Sequence, residues 1–311
     1  MPTTVPASPS PGMVASAVAA FGWGLTGIFA SLTYASGLVV TFYRTWLGAG
    51  LLIAYLALSG RRLTWPVVRL ALGGGILLAG DMTLFFSAVR LTTVAVATVI
   101  GALQPALVLI AAWPAVGERV GRRQIAWTVL AVAGVSVIVA GGGSLRGGRA
   151  TGDLLAIGSL LCWSAYFVVA KRASARVEAA GHDAFEYTAG VTLVAAVVAS
   201  LVMLAVGQSP ARIHAQDWIW IGLLAIIPTG SHLLMNWAHR YLDVSVSSVI
   251  GSSNPIVAAI GAWIVLGQRL DGLQIAGGIV GLAAIGVVAR AGGRGGVAPA
   301  VPASAGAAAV D

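Results

Sequence analysis

Charged residues are scarce in this 311-residue chain, at 9% of the sequence, whereas hydrophobic residues make up 58%. A soluble domain normally carries about 25% charged residues, which keep its surface hydrated. The mean hydropathy of +0.93 points the same way. The composition therefore excludes an ordinary soluble protein and predicts one whose outer surface contacts lipid.

Cysteine and lysine are almost absent, since Cys162 and Lys171 are the only ones. One cysteine excludes a disulfide within the chain and a cysteine-based metal site, and we predict neither a metal nor a cofactor. A retinal-type receptor needs a lysine deep in a membrane helix. Lys171 lies at the end of a predicted apolar segment, so the sequence does not favour such a receptor. The glycine run at 141–143 follows no strand and is not a phosphate loop, so no nucleotide site is predicted there.

Uncharged apolar windows of about twenty residues, the length at which a helix crosses a bilayer, recur along the chain. Each is too long for a barrel strand and lacks the alternating pattern of one. The sequence predicts an all-α integral membrane protein with ten transmembrane helices. The predicted spans are 13–32, 37–58, 67–88, 93–116, 124–142, 153–171, 185–206, 218–240, 245–266 and 273–290.

The two ends of the chain have a different composition. Residues 1–12 hold four prolines and no Lys or Arg, and residues 291–311 are mostly Gly, Ala, Pro and Val. We expect two disordered tails, and a first span that is retained because the basic region of a signal peptide is missing. Lys and Arg collect in cytoplasmic loops, and their distribution predicts a multi-pass protein of the cell (inner or plasma) membrane with both termini cytoplasmic. The net charge of +8 follows from this topology, so nucleic acid is not an expected partner.

The sequence also matches itself when it is shifted by 150 residues without a gap. The pairs include Gly80 and Gly230, Arg90 and Arg240, Gly101 and Gly251, Pro105 and Pro255, and Trp113 and Trp263. We therefore predict two five-helix repeats, 13–142 and 153–290. Because five is odd, the repeats would enter the membrane in opposite orientations, an arrangement typical of transporters.

Three segments carry a family resemblance. Residues 88–120, AVRLTTVAVATVIGALQPALVLIAAWPAVGERV, and residues 238–270, AHRYLDVSVSSVIGSSNPIVAAIGAWIVLGQRL, resemble the paired signatures of EamA-type transporters in the drug/metabolite transporter superfamily. Residues 152–172, GDLLAIGSLLCWSAYFVVAKR, are similar to the opening of the second repeat in that family. The resemblance implies the duplicated ten-helix fold and transport of small metabolites. Gln268 departs from the family pattern, which usually repeats there the acid present as Glu118.

Two charges lie inside predicted spans, and both are candidate site residues. Arg44 is about seven residues from the outer end of its span and Asp81 about nine from the outer end of the next. At 1.5 Å per residue both lie about 10–13 Å deep, so they can meet. We hypothesise an Arg44–Asp81 pair, which is either a structural tie or a substrate or proton site.

Aromatic, polar and proline residues complete the candidate site. The other cavity candidates are Trp23, Tyr43, Gln104, Trp163, Tyr166, His232, Asn236 and Asn254. His232, Asn236 and His239 share one helix face, which is either a packed face or a cavity wall. Pro105 and Pro255 should kink their helices. Glu118 and Arg119 close the fourth span as an anchor or as a gate.

The predicted function is a secondary transporter that exports or exchanges small metabolites, amino-acid-like or other small organic solutes, by alternating access. The alternative is a membrane-embedded enzyme or receptor without transport activity, but Asp81 and His232 are too scattered to predict an enzyme. Expected partners are a small-molecule substrate and the lipid bilayer. Proton or ion coupling is left open, and the chain is expected to be a monomer or a weak homo-oligomer.

Overall fold

The computed structural model describes residues 11–104, 148–211, 213–242, 244–251 and 253–268, with isolated positions at 107–108, 111, 126, 129–130, 272, 275–276, 279–280 and 283. Regular structure in these residues is helical, and no strand occurs among them. The helices are α1 (Pro11–Gly24), α2 (Thr26–Ser31), α3 (Gly37–Leu58), α4 (Trp65–Leu91), α5 (Val94–Gly101), α6 (Gly148–Ala179), α7 (Ala184–Ala205), α8 (Asp217–Ala238), α9 (Val244–Gly251) and α10 (Asn254–Leu266).

Six segments of the described chain are long and apolar enough to cross a membrane. They are Pro11–Ser31 (α1 with α2), α3, α4, Ala150–Ala179 of α6, α7 and α8. The all-helical, membrane-spanning class predicted from the sequence is therefore confirmed for these residues. Apart from the isolated positions, the predicted spans 124–142 and 273–290, the part of 93–116 after residue 104, and the predicted tails other than Pro11 and Gly12 lie outside the described residues.

Polar caps and glycines define several helix ends. Ser36 begins α3 by accepting a hydrogen bond from the backbone N–H of Val39. Asp183 and Glu186 form a capping box at the start of α7, in which each side chain accepts from the other residue's backbone N–H. Gly267 ends α10 in the left-handed region at φ +65°, where a side chain would be strained.

Helix α6 is longer at both ends than the predicted span 153–171. The prediction stopped at Lys171 because a charge ends an apolar window, but a charged residue does not end a helix. Lys171 instead donates to the backbone carbonyl oxygens of His239 and Leu242, the latter at 2.8 Å. The helix then continues past Arg176 to Ala179.

The predicted ninth span, 245–266, is two helices rather than one kinked helix. Helix α9 ends at Gly251 and α10 begins at Asn254, which places Pro255 in the first turn of α10. A proline there costs no helical hydrogen bond, because the first N–H groups of a helix have no intrahelical partner. Pro228, by contrast, lies inside α8, a position that the sequence reasoning did not single out.

Helix ends meet in two groups on opposite sides of the bundle. On one side, called the Arg61 face, Arg61 forms a 2.8 Å ion pair with Asp183 and so joins the end of α3 to the start of α7. On the other, the Asp217 face, the backbone N–H of Tyr34 donates to Asp217 at 2.8 Å and joins the end of α2 to the start of α8. Gly12, near the start of α1, packs against Tyr241, close to the end of α8 on the Arg61 face.

The helices of the two halves consequently run in opposite directions. Gly152, near the start of α6, packs against Leu91 and Thr92 at the end of α4 on the Asp217 face. Helix α6 therefore runs from the Asp217 face to the Arg61 face, and the α1–α2 segment runs the other way. The same opposition holds for α3 and α7 and for α4 and α8.

Close packing holds α4 against α7. A Cβ atom built on Gly75 would lie 2.4 Å from Cβ of Val194 in α7 and 2.9 Å from the backbone oxygen of Val191. Only glycine allows the two backbones to come this close, as is common between membrane helices. This contact positions Asp81, less than two turns further along α4, against α6.

Candidate functional site

A cavity lies between helices from both halves of the chain. Its volume open to the centres of water molecules is about 80 Å³, well above the roughly 10–15 Å³ that one water needs. Helices α1 to α5 contribute Trp23, Thr26, Arg44, Asp81, Met82, Phe85, Phe86, Thr98 and Gly101 to its wall. Helices α6, α8 and α10 contribute Ser159, Leu160, Trp163, His232 and Asn254.

Arg44 supplies a buried cation to this wall, with 3% of its surface exposed. Its Nε donates to the backbone oxygen of Leu224 at 3.0 Å. That oxygen is available because Pro228, four residues later in α8, has no N–H to donate to it. The guanidinium also lies 5.5 Å from the ring centre of Phe86. The proline in α8 and the arginine in α3 thus form one structural unit.

Asp81 supplies a carboxyl group to the same wall. Its Oδ1 accepts a 2.6 Å hydrogen bond from the Ser159 hydroxyl, which links α4 to α6. Within the described residues Arg44 and Asp81 form no ion pair, so the hypothesised direct pair is absent here, although both side chains line one cavity. The physical reason is that Leu224 and Ser159 offer each side chain a neutral partner of its own.

Aromatic rings close one side of the cavity. Trp23 meets Trp163 edge to face with ring centres 4.7 Å apart, and Trp163 stacks on Tyr166 at 5.5 Å. The His232 ring lies 5.2 Å from Trp23 and 5.5 Å from Trp163. The structure therefore brings the aromatic candidates of α1 and α6 together with the histidine of α8, across the contact between the two halves.

Tyr166 and Asn236 lie behind the wall rather than in it. The Tyr166 hydroxyl donates to Oδ1 of Asn236 at 3.3 Å, and Nδ2 of Asn236 donates to the Thr188 hydroxyl at 2.9 Å. This chain of hydrogen bonds joins α6, α8 and α7. It orients the ring on which Trp163 stacks.

The other candidates fall elsewhere. Tyr43 lies away from the cavity and donates from its hydroxyl to the backbone oxygen of Pro210 at 3.2 Å. Gln104 and His239 are buried, but neither side chain lines the cavity. Pro105, Glu118 and Arg119 lie outside the described residues.

Asn254 reaches the cavity because α10 packs tightly on α1. A Cβ atom on Gly24 would lie 2.5 Å from Cβ of Val257 and 2.9 Å from the backbone oxygen of Asn254. The absence of a side chain at Gly24 thus lets the first turn of α10 approach the wall beside Trp23.

Sequence reasoning missed several wall residues that helix periodicity would have found. Ser159 lies four residues before Trp163, and Phe85 lies four residues after Asp81, so each shares a helix face with a predicted candidate. Thr26 lies three residues after Trp23. The role of Pro228 needed the structure, because only the fold brings Arg44 next to Leu224. Within the described part of the chain, His, Cys, Asp and Glu side chains form no group of three that could hold a metal ion.

The fold and the cavity define a multi-pass membrane protein with a chamber, lined by both apolar and polar side chains, between two helical halves. The model of the EamA-like transporter family matches residues 10–140 and 150–290, so the chain belongs to that family and contains two of its repeats. This match confirms the family resemblance drawn from the three sequence segments. The family indicates a transporter rather than an enzyme.

Proteins similar to this chain include two relatives of known name and a solved structure. The relatives are the "Threonine/homoserine exporter RhtA" proteins of two Salmonella typhimurium strains, SL1344 and LT2, each 27% identical over 157 residues, or 48% of this chain and 48% of the relative. The matched part thus spans about half the length of these relatives. A crystal structure superposes with a TM-score of 0.69 over 91% of this chain and 100% of the other, at 22% identity, and supports the fold alone.

Proposed function

We propose that this protein is a secondary transporter that exports or exchanges small zwitterionic metabolites, with amino acids as the leading class, by alternating access. The observation that carries the proposal is one cavity, lined from both halves, whose wall contains an arginine and an aspartate that form no direct ion pair with each other. A solute with both charges would complete the site. A solute without charges would leave the buried Arg44 and the partly buried Asp81 without a direct ionic partner.

The proposed binding mode assigns each charged group of the substrate to one side chain. The guanidinium of Arg44 has N–H donors beyond the one bonded to Leu224, and these suit a carboxylate. The carboxylate of Asp81 has acceptor positions beyond the one bonded to Ser159, and these suit an ammonium group. The rings of Trp23 and Trp163 would enclose the rest of a small solute.

The proposed transport cycle depends on an inverted pair of five-helix repeats, ten helices in all. The opposite directions of α3 and α7, and of α4 and α8, support this arrangement, since inverted halves can exchange conformations about a shared site. The Arg61 face is assigned to the cytoplasm because basic residues concentrate there. These are Arg61, Arg62, Arg69, Lys171, Arg172, Arg176 and Arg240.

The name of the Salmonella relatives supports both export as the direction of transport and amino acids as the substrate class. They are called threonine/homoserine exporters. Amino acids of this kind carry one ammonium and one carboxylate group, which could pair with Asp81 and Arg44. At 27% identity over half the chain, the name supports a substrate class rather than a particular substrate.

Exchange of labelled L-threonine across proteoliposomes tests the proposal. The wild-type protein should exchange it, whereas Arg44→Gln and Asp81→Asn should each lose most of the exchange because one charge of the substrate loses its partner. Arg62→Gln, which neutralises an exposed loop arginine, is the matched control and should behave as wild type. Absence of exchange by the wild-type protein, or hydrolysis of the solute by the same preparation, would exclude the transporter assignment in favour of an inactive bundle or an enzyme.

Coupling to protons through Asp81 is the proposed energy source, with Arg44 and His232 as the other ionisable groups of the cavity wall. An imposed pH gradient should then change the wild-type exchange rate. Residual exchange by Asp81→Asn should be independent of the gradient, because the amide carries no titratable proton. A gradient response that survives in Asp81→Asn would locate the coupling group elsewhere.

A further inference from the structure

Three side chains of the cavity wall each have a buried polar atom without a hydrogen-bond partner among the described residues. The atoms are Nε1 of Trp23, Oγ1 of Thr26 and Nδ1 of His232. All three residues are at least nine-tenths buried: the exposed fraction is 9% for Trp23, 8% for Thr26 and 4% for His232. Buried polar groups in native proteins nearly always have a partner, so three unpaired ones in one wall need an explanation.

The three residues lie close together. Trp23 and Thr26 are three positions apart and flank the short interruption between α1 and α2, so they share one face of the first membrane-spanning segment. The ring centres of Trp23 and His232 are 5.2 Å apart. The three side chains are thus neighbours in the wall of one cavity.

The other hydroxyl groups of the same wall are already bonded. The Thr98 hydroxyl donates to the backbone oxygen of Val94 at 2.6 Å, and the Ser159 hydroxyl donates to Asp81 at 2.6 Å. Among the neutral side chains of this wall, buried polar atoms without a partner are therefore found only in the cluster of Trp23, Thr26 and His232. This cluster is distinct from the two charged side chains assigned to the ends of the substrate.

We propose that this cluster recognises a hydroxyl group on the side chain of the substrate, and that the transporter selects hydroxylated amino acids over isosteric apolar ones. The inference rests on the proposed function and names the substrate class more narrowly. The indole N–H of Trp23 is a donor only, so the oxygen of the hydroxyl would accept from it. The hydroxyl hydrogen would be donated to Nδ1 of neutral His232 or to the Thr26 oxygen, both of which accept.

A methyl group in the same place could satisfy none of these atoms. A site built to hydrogen-bond a hydroxyl rejects an analogue without one far more strongly than an apolar pocket rejects an added methylene. L-Threonine and L-valine are the matched probes, because they differ only in that valine has a methyl group where threonine has the hydroxyl.

The experiment measures competition by unlabelled L-threonine and L-valine against labelled L-threonine in proteoliposome exchange. The wild-type protein should prefer threonine by at least about tenfold. Thr26→Val should reduce this preference below about threefold, mainly because threonine competes less strongly. Thr192→Val is the matched control: its hydroxyl donates to the oxygen of Thr188 within α7 at 2.8 Å, and the full preference should remain.

Trp23→Phe provides a second variant in case Thr26→Val fails to fold, and it should also reduce the preference. Equal competition by threonine and valine in the wild-type protein would overturn the inference while leaving amino-acid transport intact. Retention of the full preference in both Thr26→Val and Trp23→Phe would overturn it as well. Exchange of neither amino acid by the wild-type protein would overturn both this inference and the proposed function.

Discussion

Two arginines in neighbouring membrane-spanning helices have opposite surroundings. Arg90, in the last turn of α4, donates to the backbone oxygens of Ala30, Thr33 and Ala35 at 2.6–2.9 Å and to the Thr33 hydroxyl at 2.5 Å. Arg44, deep in α3, makes one hydrogen bond in the described structure, to Leu224. A guanidinium has five N–H donors, so Arg90 is largely satisfied by protein and Arg44 is not. The difference separates an arginine that holds a loop from one that is available to a solute.

The polar groups of the Arg61 face resemble Arg90 rather than Arg44. Arg61 contacts Asp183 at 2.8 Å and Glu186 at 3.3 Å, and His182 contacts Glu186 at 3.0 Å. Partial burial opposes ionisation of Asp183, but hydrogen bonds from Arg61 and from two backbone N–H groups outweigh it and lower the pKa of this carboxyl. The hydrogen bond to Asp183 in turn raises the pKa of Arg61. Complete pairing marks this cluster as structural.

The largest expected effects come from substituting each of the two arginines, Arg90 and Arg44. One substitution should mainly lower stability and the other should mainly lower transport. Arg90→Gln should lower the free energy of unfolding by about 2–4 kcal/mol, because several charge-assisted hydrogen bonds to the 30–35 loop are lost. Arg44→Gln should change stability less and lower exchange per folded molecule by about a hundredfold, since a substrate carboxylate loses a bidentate cation. Thermal unfolding in detergent and proteoliposome exchange measure the two effects. Equal effects of both variants on both quantities would remove the distinction between the two arginines.

A substitution at Pro228 tests how Arg44 is positioned, because it introduces a second donor for the Leu224 oxygen that Arg44 now bonds. Pro228→Ala supplies an N–H that can bond to the Leu224 oxygen, the present partner of Arg44. We expect α8 to become more stable and the apparent affinity for L-threonine to fall about tenfold as Arg44 loses its position. Unfolding midpoints and the concentration dependence of exchange provide the measurements. Pro66→Ala is the control, because that proline lies in the first turn of α4 and frees no carbonyl. An unchanged affinity in Pro228→Ala would show that the proline does not position Arg44.

The smallest expected effect concerns the Arg61 face. Because the pKa of Asp183 is lowered on folding, its charge stabilises the folded state above the unfolded-state value of about 3.9, and the contribution is lost as the pH falls below it. The side chain is 38% exposed, so Asp183→Asn should cost only a few tenths of a kcal/mol near neutral pH after solvent screening. The difference from wild type in thermal unfolding should shrink between about pH 6 and pH 3. A difference that grows on acidification would reverse the sign assigned to this carboxyl.

The sequence predicted the membrane-spanning helices of the described part well because their signal is local. An apolar window of twenty residues is visible without knowledge of its neighbours, and the repeated residues, such as Gly80 and Gly230, indicate the duplication directly. The end of α6 was missed because Lys171 bonds to oxygens 68 and 71 residues away, a contact that no local pattern contains.

The candidate site was predicted in part for the same reason. Trp23, Arg44, Asp81, Trp163, His232 and Asn254 all line the cavity, because polar or aromatic residues inside an apolar span attract attention individually. Their partners were harder to predict. The depth argument brought Arg44 and Asp81 to one level of the membrane, but it could not anticipate the carbonyl that Pro228 frees or the serine at position 159.

The separations along the chain between the two arginines and their partners bear on how the protein is made. The oxygens that Arg90 bonds lie 55 to 60 residues earlier, so this contact can form as soon as the first three membrane-spanning segments have left the ribosome. Leu224 follows Arg44 by 180 residues. During synthesis α3 therefore enters the bilayer before Leu224 has been made. The Arg44 side chain has no final partner until most of the chain has been translated. Biogenesis of this protein is thus exposed to failure at α3, where a charged side chain gains its partner late in translation.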